Sequence, residues 1–272
     1  MKVLLLDGYN LIYRAHYAPA RGKYSTVYCF FRSLRAQVEK FSPDKIYFVL
    51  EGYPKKRMEI LEDYKGTRKQ LDPEDSFHSQ KRKIIMMMKD FFPITSIRHP
   101  DYECDDVLAN LVMYTHKDDD CTVISSDTDF YQLYNTCNNV KIFNPVQKKY
   151  IPPVDFDYVR WKALKGDSSD NISGFSGIGT KRAHALIENT KKLQEFLLKP
   201  GHQELFDRNC ELIRFHDLRS EMELLEISEE TSNWPSIKNE FNNMSFGSIT
   251  NDRSWKKFVD TFTIGHMMIN VV

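Results

Sequence analysis

Three short apolar runs in this chain each end on an acid: VLLL leads into Asp7, KIYFVL into Glu51, and CTVIS into Ser126 and Asp127. Apolar runs of this length read as strands buried on both faces, the kind that parallel sheets contain. Loops diverge at the carboxyl edge of a parallel sheet and leave a crevice there, so the three acids are expected at one opening. YECDDV adds Glu103, Asp105 and Asp106, SSDTDF adds Asp129, and GDSSDN adds Asp167 and Asp170. Nine carboxylates in one place repel one another unless cations sit among them. Oxygen donors of this sort select magnesium or manganese and point to phosphoryl chemistry.

The segments between these runs predict the architecture. Residues 3–6 form the first strand, and Thr26–Lys40 forms a helix whose Val27, Phe30, Phe31, Leu34 and Val38 recur at helical spacing. Ser42, Pro43 and Asp44 break it, and residues 45–50 make the second strand. Strand, helix, strand in this order implies a right-handed crossover and parallel pairing. A helix near Gln80–Phe92, a strand at Thr95–Arg98 and a helix opened around Glu103 follow, the last burying Val107, Leu108, Leu111 and Val112. Further strands fall at 121–126 and Val140–Phe143. The fold class is α/β, with helices on both faces of a mainly parallel sheet. Glu103 and Asp106 lie three apart on one face of a helix start, where carboxylates are favoured, with Asp105 beside them.

Bulk composition sets limits only. A chain of 272 residues, 41% hydrophobic, buries enough for one or two domains. Lys plus Arg equals Asp plus Glu at 38 each, so net charge is silent about an anionic partner, but the distribution is not. From Lys55 to Asp90 there are ten basic residues against seven acidic ones. In that segment Lys55, Lys56, Arg57, Lys65, Arg68 and Lys69 alternate with Tyr53 and Tyr64, a pattern suited to phosphates and unpaired bases. It is too long for an ordinary connection and reads as disordered or as a functional lid, against the plainer reading of a solvated charged helix. Further on, Gly174, Gly177 and Gly179 permit a tight turn before a helix opened by Thr180 or Lys181. Such a turn presents a positive helix end to a phosphate backbone, and Lys181 and Arg182 add charge. The five cysteines form no CxxC, the first apolar run is too short for a signal peptide, and no stretch approaches the ~20 apolar residues of a membrane span. A soluble, cytoplasmic protein with reduced thiols and no membrane partner is expected.

The strings DGYNLIYRAHYA, RMEILEDYKGTR, YECDDVLAN, SSDTDFYQL and ALKGDSSDNISGFSGIGTKRAHALI, taken in order, closely resemble the structure-specific 5′ nucleases. That family includes bacterial and phage flap endonucleases, phage ribonuclease H and the 5′ nuclease domain of bacterial DNA polymerase I. The resemblance covers roughly residues 1–215. It implies a PIN-like core over residues 1–160, including a helical arch at about 52–90. A helix-three-turn-helix duplex-binding region at 161–225 and a C-terminal helical extension at 226–272 would follow. Carried over by position, Asp7, Glu51, Glu103 and Asp105 would hold one Mg2+ ion, and Asp127, Asp129, Asp167 and Asp170 a second, with Mn2+ able to substitute. Asp106 would support the cluster. Lys65 and Arg68 would meet the scissile phosphate, with Arg57 and Lys69 nearby on the DNA. Tyr13 would stack on a displaced base, as would Tyr9 and Tyr17 unless these rings pack below the site. The Gly174–Arg182 element would grip duplex and hold a K+ ion through backbone carbonyls.

Two departures stand out. Glu51 occupies a place where relatives usually carry Asp, extending the carboxylate by about 1.5 Å. The second is that a freestanding enzyme without an attached polymerase is expected, which would suit a phage enzyme acting in host cytoplasm. The resemblance implies a 5′-3′ exonuclease and flap endonuclease of replication, primer removal or repair. Its partners would be DNA with a 5′ flap or end, RNA-DNA primer junctions and a replication protein such as a single-stranded-DNA-binding protein; the enzyme would be monomeric. Two other classes compete: a duplex or flap binder with weak catalysis, which the complete set of acids argues against, and a PIN-type ribonuclease for unstructured RNA, which has no need of the Gly-turn element.

Overall fold

The computed structural model describes residues 1–68, 72 and 75–263. The chain opens with β1 (Lys2–Asp7), α1 (Gly8–His16), α2 (Ser25–Phe41) and β2 (Lys45–Leu50), then α3 (Lys55–Ile60), α4 (Ser76–Asp90) and β3 (Thr95–Arg98). Next come α5 (Cys104–Asn110), β4 (Asp120–Ile124), β5 (Val140–Asn144) and β6 (Lys149–Ile151). α6 (Tyr158–Lys165), the short hairpin β7 (Gly166–Asp167) and β8 (Ile172–Ser173), α7 (Thr180–Ile187), α8 (Thr190–Leu197) and α9 (His202–Ile213) follow. The described chain ends with β9 (Glu226–Ser228), α10 (Trp234–Asn243), α11 (Gly247–Thr250) and α12 (Asp252–Thr263).

The main sheet runs β6-β5-β4-β1-β2-β3-β9. The five inner strands are parallel; β6 and β9 close the edges antiparallel. Because the chain leaves β1 for β2 on one side and returns to β4 on the other, strand order reverses beside β1. That reversal opens the crevice where such sheets bind ligands. Alternation along each strand splits the core in two. Leu4, Leu6 and Phe48 pack against α1, α2 and α4, whereas Val3, Leu5 and Val49 pack against α5. A third apolar cluster, with Ala163, Leu164, Ala183 and Phe206, joins α6 to α9.

The predicted strands and the buried residues of α2 and α5 stand where the apolar runs place them. The fourth strand stops at Ile124 instead of residue 126; Ser125 still donates its backbone N–H to the Phe143 carbonyl at 3.3 Å, and its Oγ donates to Asp7 Oδ2 at 2.7 Å. The C-terminal segment does not stand apart from the sheet. β9 pairs with β3, and α12, from SWKKFVDTF, buries Phe258 and Phe262 in the cluster that holds α2. No helix among the described residues is long and apolar enough to cross a membrane.

Candidate functional site

Asp7 ends β1 and caps α1, accepting from the Asn10 amide at 3.1 Å. Glu51 follows β2, and its Oε2 accepts from the Cys104 amide at 3.2 Å. Gly52 makes that approach possible, since a Cβ there would lie 1.9 Å from the His99 carbonyl oxygen and 2.2 Å from that of Tyr102. Glu103 caps α5 in a reciprocal box with Asp106, which leaves Asp105 beside them. Carboxylate oxygens of Glu103, Asp105 and Asp106 lie within 4.8 Å of one another, as do those of Asp129, Asp167 and Asp170. Asp7, Glu51, Glu103, Asp105 and Asp127 line one cavity of about 1040 Å³. Asp127, Asp129, Asp167 and Asp170 line a second of about 500 Å³, and Asp127 and Arg68 border both. The fold thus brings eight of the nine predicted acids to two adjoining cavities, with Asp106 buried behind them.

Basic side chains enter this cluster, which the sequence argument from repulsion did not count. Arg57 is buried: Nη1 donates to Glu103 at 2.7 Å and to Asp106 at 2.5 Å, Nη2 donates to Asp106 at 2.8 Å, and Nε donates to the Leu212 carbonyl at 2.9 Å. Expected on nucleic acid, it instead ties the segment after β2 to α5 and the end of α9. Lys65 pairs with Glu103 and lies 3.9 Å from Glu51, and its backbone sits in the left-handed region at φ 57. A non-glycine residue there costs energy, and such strain gathers at functional sites. Arg68, half exposed, donates to Asp170 at 2.6 Å. The Tyr64 hydroxyl bridges Glu103 and Asp170. Lys162, buried on α6, pairs with Asp129 and with Asp167 at 2.5 Å. Sequence reasoning missed Lys162, since KALK on a helix reads as solvated lysines; only the fold places it between two acids.

Four cations do not balance nine carboxylates, and burial adds to the cost of keeping those acids charged. Burial pushes the Asp7 carboxyl up, and burial reinforced by Asp106 raises Asp105 well above its usual value. Burial raises Glu51 to about 7 against the pull of Lys65, helped by Glu103 and Asp7. Burial also raises Asp127, and lifts Asp129 to about 6 despite Lys162. At Glu103 burial is outweighed by Arg57 and Lys65, which hold the carboxyl low. At Asp167 burial is outweighed by Lys162, and the group falls to about 2. In the five that rise, burial leads, and the ammonium groups of Lys65 at Glu51 and Lys162 at Asp129 offset it only in part. Clustered oxygen donors carrying surplus negative charge are what hard divalent ions take, so two acidic groups suited to divalent metal lie side by side.

The other predicted residues are placed as follows. Tyr13 and Tyr9 line the larger cavity half-buried, and Tyr17 is exposed beside them. Arg14 and Arg32 border the same cavity, Arg14 donating to the Pro145 carbonyl at 2.8 Å. Lys181 and Arg182 are exposed at the start of α7, which Thr180 opens. The three glycines differ. Gly177 has φ +73, and Gly174 needs close approach, since its Cβ would sit 2.1 Å from the Lys165 carbonyl oxygen. Gly179 is extended and open, so it meets neither demand. The Gly177 carbonyl accepts from Arg182 at 2.8 Å. Lys69 lies outside the described residues.

Residues 2–161 match the family described as 5′-3′ exonuclease, N-terminal resolvase-like domain. A 5′-3′ exonuclease of Mycoplasmopsis pulmonis is 30% identical over 208 residues, covering 71% of this chain and 68% of the relative. A thermostable DNA polymerase I of Thermus filiformis is 28% identical over 92% of this chain, which spans only 33% of that polymerase. Among solved structures, the T5 D15 protein co-crystallised with metal ions shares the fold at TM-score 0.65 and 21% identity, covering 97% of this chain and all of that one. Human GEN1 in complex with Holliday junction DNA shares it at TM-score 0.59 and 15% identity, over 98% of this chain and 73% of that one.

Proposed function

The chain belongs to the 5′-3′ exonuclease family, and on that premise we propose that it is a divalent-metal-dependent 5′ nuclease that hydrolyses phosphodiesters at 5′ flaps and 5′ ends of DNA or RNA-DNA duplexes. The observation that carries this reading is the pair of adjoining acid-lined cavities at the sheet's reversal point, where burial holds five clustered carboxyls up. Asp7, Glu51, Glu103 and Asp105 would hold one ion and Asp127, Asp129, Asp167 and Asp170 the other, Mg2+ or Mn2+ by their oxygen donors. When bound, two such ions polarise a phosphodiester and lower the pKa of a water.

The chain's own residues do the rest. Lys65 and Arg68 border the acids from the segment after α3, placed to exchange their carboxylate partners for phosphate oxygens and offset the charge that develops there. Tyr9 and Tyr13 offer ring faces beside Asp7 to a base that leaves its stack. The recessed acids keep an intact duplex phosphate at a distance, so a strand end that frays, or a flap already unpaired, reaches them at lower cost. We assign residues 1–160 to a PIN-like core with an arch at about 52–90, and 161–225 to a helix-three-turn-helix element. There Lys181, Arg182 and the Gly turn would hold duplex, with K+ on the turn's carbonyls. Family likeness supports that division, and α6–α9 hold most of one apolar cluster, which Tyr64 of the arch segment also enters.

The experiment compares cleavage of a 5′-flapped duplex, an intact duplex and an unstructured RNA, with and without Mg2+. Mg2+-dependent cutting of the flap, faster than nucleotide release from the ends of the intact duplex, is expected, lost in Asp127→Ala, while Lys181→Ala weakens binding. Cleavage of unstructured RNA in preference to the flap would overturn the reading.

A further inference from the structure

The second cavity has a wall that the chemistry above leaves without a task. Tyr131, Phe156, Trp161 and His184, all half-buried, border it together with buried Tyr158. Their rings form a continuous series. Phe156 stands 4.3 Å from His184 and 5.6 Å from Trp161, centroid to centroid, and Trp161 stands 5.6 Å from both Tyr158 and His184. Lys165 places its ammonium 4.6 Å from the Trp161 ring. This wall is fastened to the acids: the Tyr158 hydroxyl donates to Asp129 at 3.3 Å and to Thr128 at 3.0 Å. Rings that served only to join α6 to α7 would be covered, as Ala183 and Leu164 are. These four keep exposed faces around about 500 Å³, a volume in the range that takes a small flat ligand.

Resting on the nuclease reading, we propose that this aromatic pocket receives one unpaired nucleobase, that of the nucleotide on the far side of the scissile phosphate from the larger cavity. Asp127 and Arg68 border both cavities, so a strand laid across the acids has one nucleotide on each side of them. Toward α1 it meets Tyr9 and Tyr13; toward α6 it meets the ring wall. Stacking on rings accepts any base, which suits an enzyme that selects structure over sequence. Lys165 at the rim favours an anionic strand over a neutral aromatic ligand.

The test uses the full-length protein and 5′-flapped duplexes that differ only at the two nucleotides flanking the cut, each carrying 2-aminopurine, an abasic residue or an ordinary base. Binding is read in Ca2+ as 2-aminopurine quenching, and cleavage in Mg2+ as kcat/KM. Wild-type protein is expected to quench the probe on the α6 side and to prefer the base-bearing substrate over the abasic one by about fivefold to a hundredfold. In Phe156→Ala and His184→Ala that ratio falls toward one and the quench weakens, while Phe156→Tyr restores both. A ratio near one in the wild type, or a wild-type ratio that Phe156→Ala leaves intact, overturns the inference even if flaps are cut. Wild-type protein that neither binds nor cuts the flap refutes the nuclease reading and the inference with it.

Discussion

Replacing Arg57 by methionine removes one side chain and separates two accounts of it. In the structure Arg57 is 2% exposed, and its guanidinium donates to two carboxylates and to the carbonyls of Leu212 and Arg214. Breaking a buried ion pair by removing one partner costs about 3–5 kcal/mol, because the other charge stays behind in low dielectric. Asp106, fully buried, would retain the His216 amide at 2.9 Å as an acceptor's partner, and Glu103 would retain Lys65, so the lower half of that range applies. For a chain of this size, about 3 kcal/mol lowers Tm by roughly 6–12 °C. Glu103 adds a pH signature: a carboxyl held below its usual value of 4.5 contributes stability above that pH and loses it as pH falls. The gap between wild type and Arg57→Met should therefore narrow in acid. Thermal unfolding in chelator, at neutral pH and near pH 4, is the assay. A variant that melts with the wild type, yet binds DNA with a salt slope smaller by about one, would show that Arg57 faces phosphate and that the buried pair is wrong.

Three further outcomes follow from the site. Lys162→Met leaves Asp129 and Asp167 facing each other without their shared ammonium, so the metal-free protein loses stability while the Tm gained on adding Mg2+ grows; a smaller gain would contradict the placement of Lys162. In chelator, the folded chain binds protons that the unfolded chain has released, because burial raises Glu51 to about 7 and Asp129 to about 6. Stability should thus fall as pH rises from about 4 to about 7, by up to about 3 kcal/mol from Glu51, and Mg2+ should flatten the profile. Urea midpoints that rise across this interval would contradict it. Gly177→Ala, at φ +73, should cost about 1–2 kcal/mol, whereas Gly179→Ala, in open space, should be neutral; equal melting shifts would contradict the turn geometry.

The strands and the acids at their ends were legible because burial on both faces leaves an uninterrupted apolar signature and a polar residue stops it. The sheet's edges were not. KYI and EIS are three residues each, with too little apolar patterning to mark β6 and β9 as strands. The basic partners were also hidden, since one sequence does not say which charge meets which. Arg57 lies among lysines that look solvated, and its burial depends on the carbonyl of Leu212, 155 residues away. That Glu103 and Asp106 share one face of a helix start was readable from spacing alone; the capping box they form, and the four cations that share the cluster, needed the fold.

The most direct test of the account is to count Mn2+ ions bound per chain by titration followed with electron paramagnetic resonance. Two ions per chain are expected at neutral pH, with one remaining when Asp129 and Asp167 are both replaced by Asn. Failure to bind Mn2+, or a stoichiometry indifferent to those substitutions, would contradict the claim that these carboxylates are gathered for divalent metal.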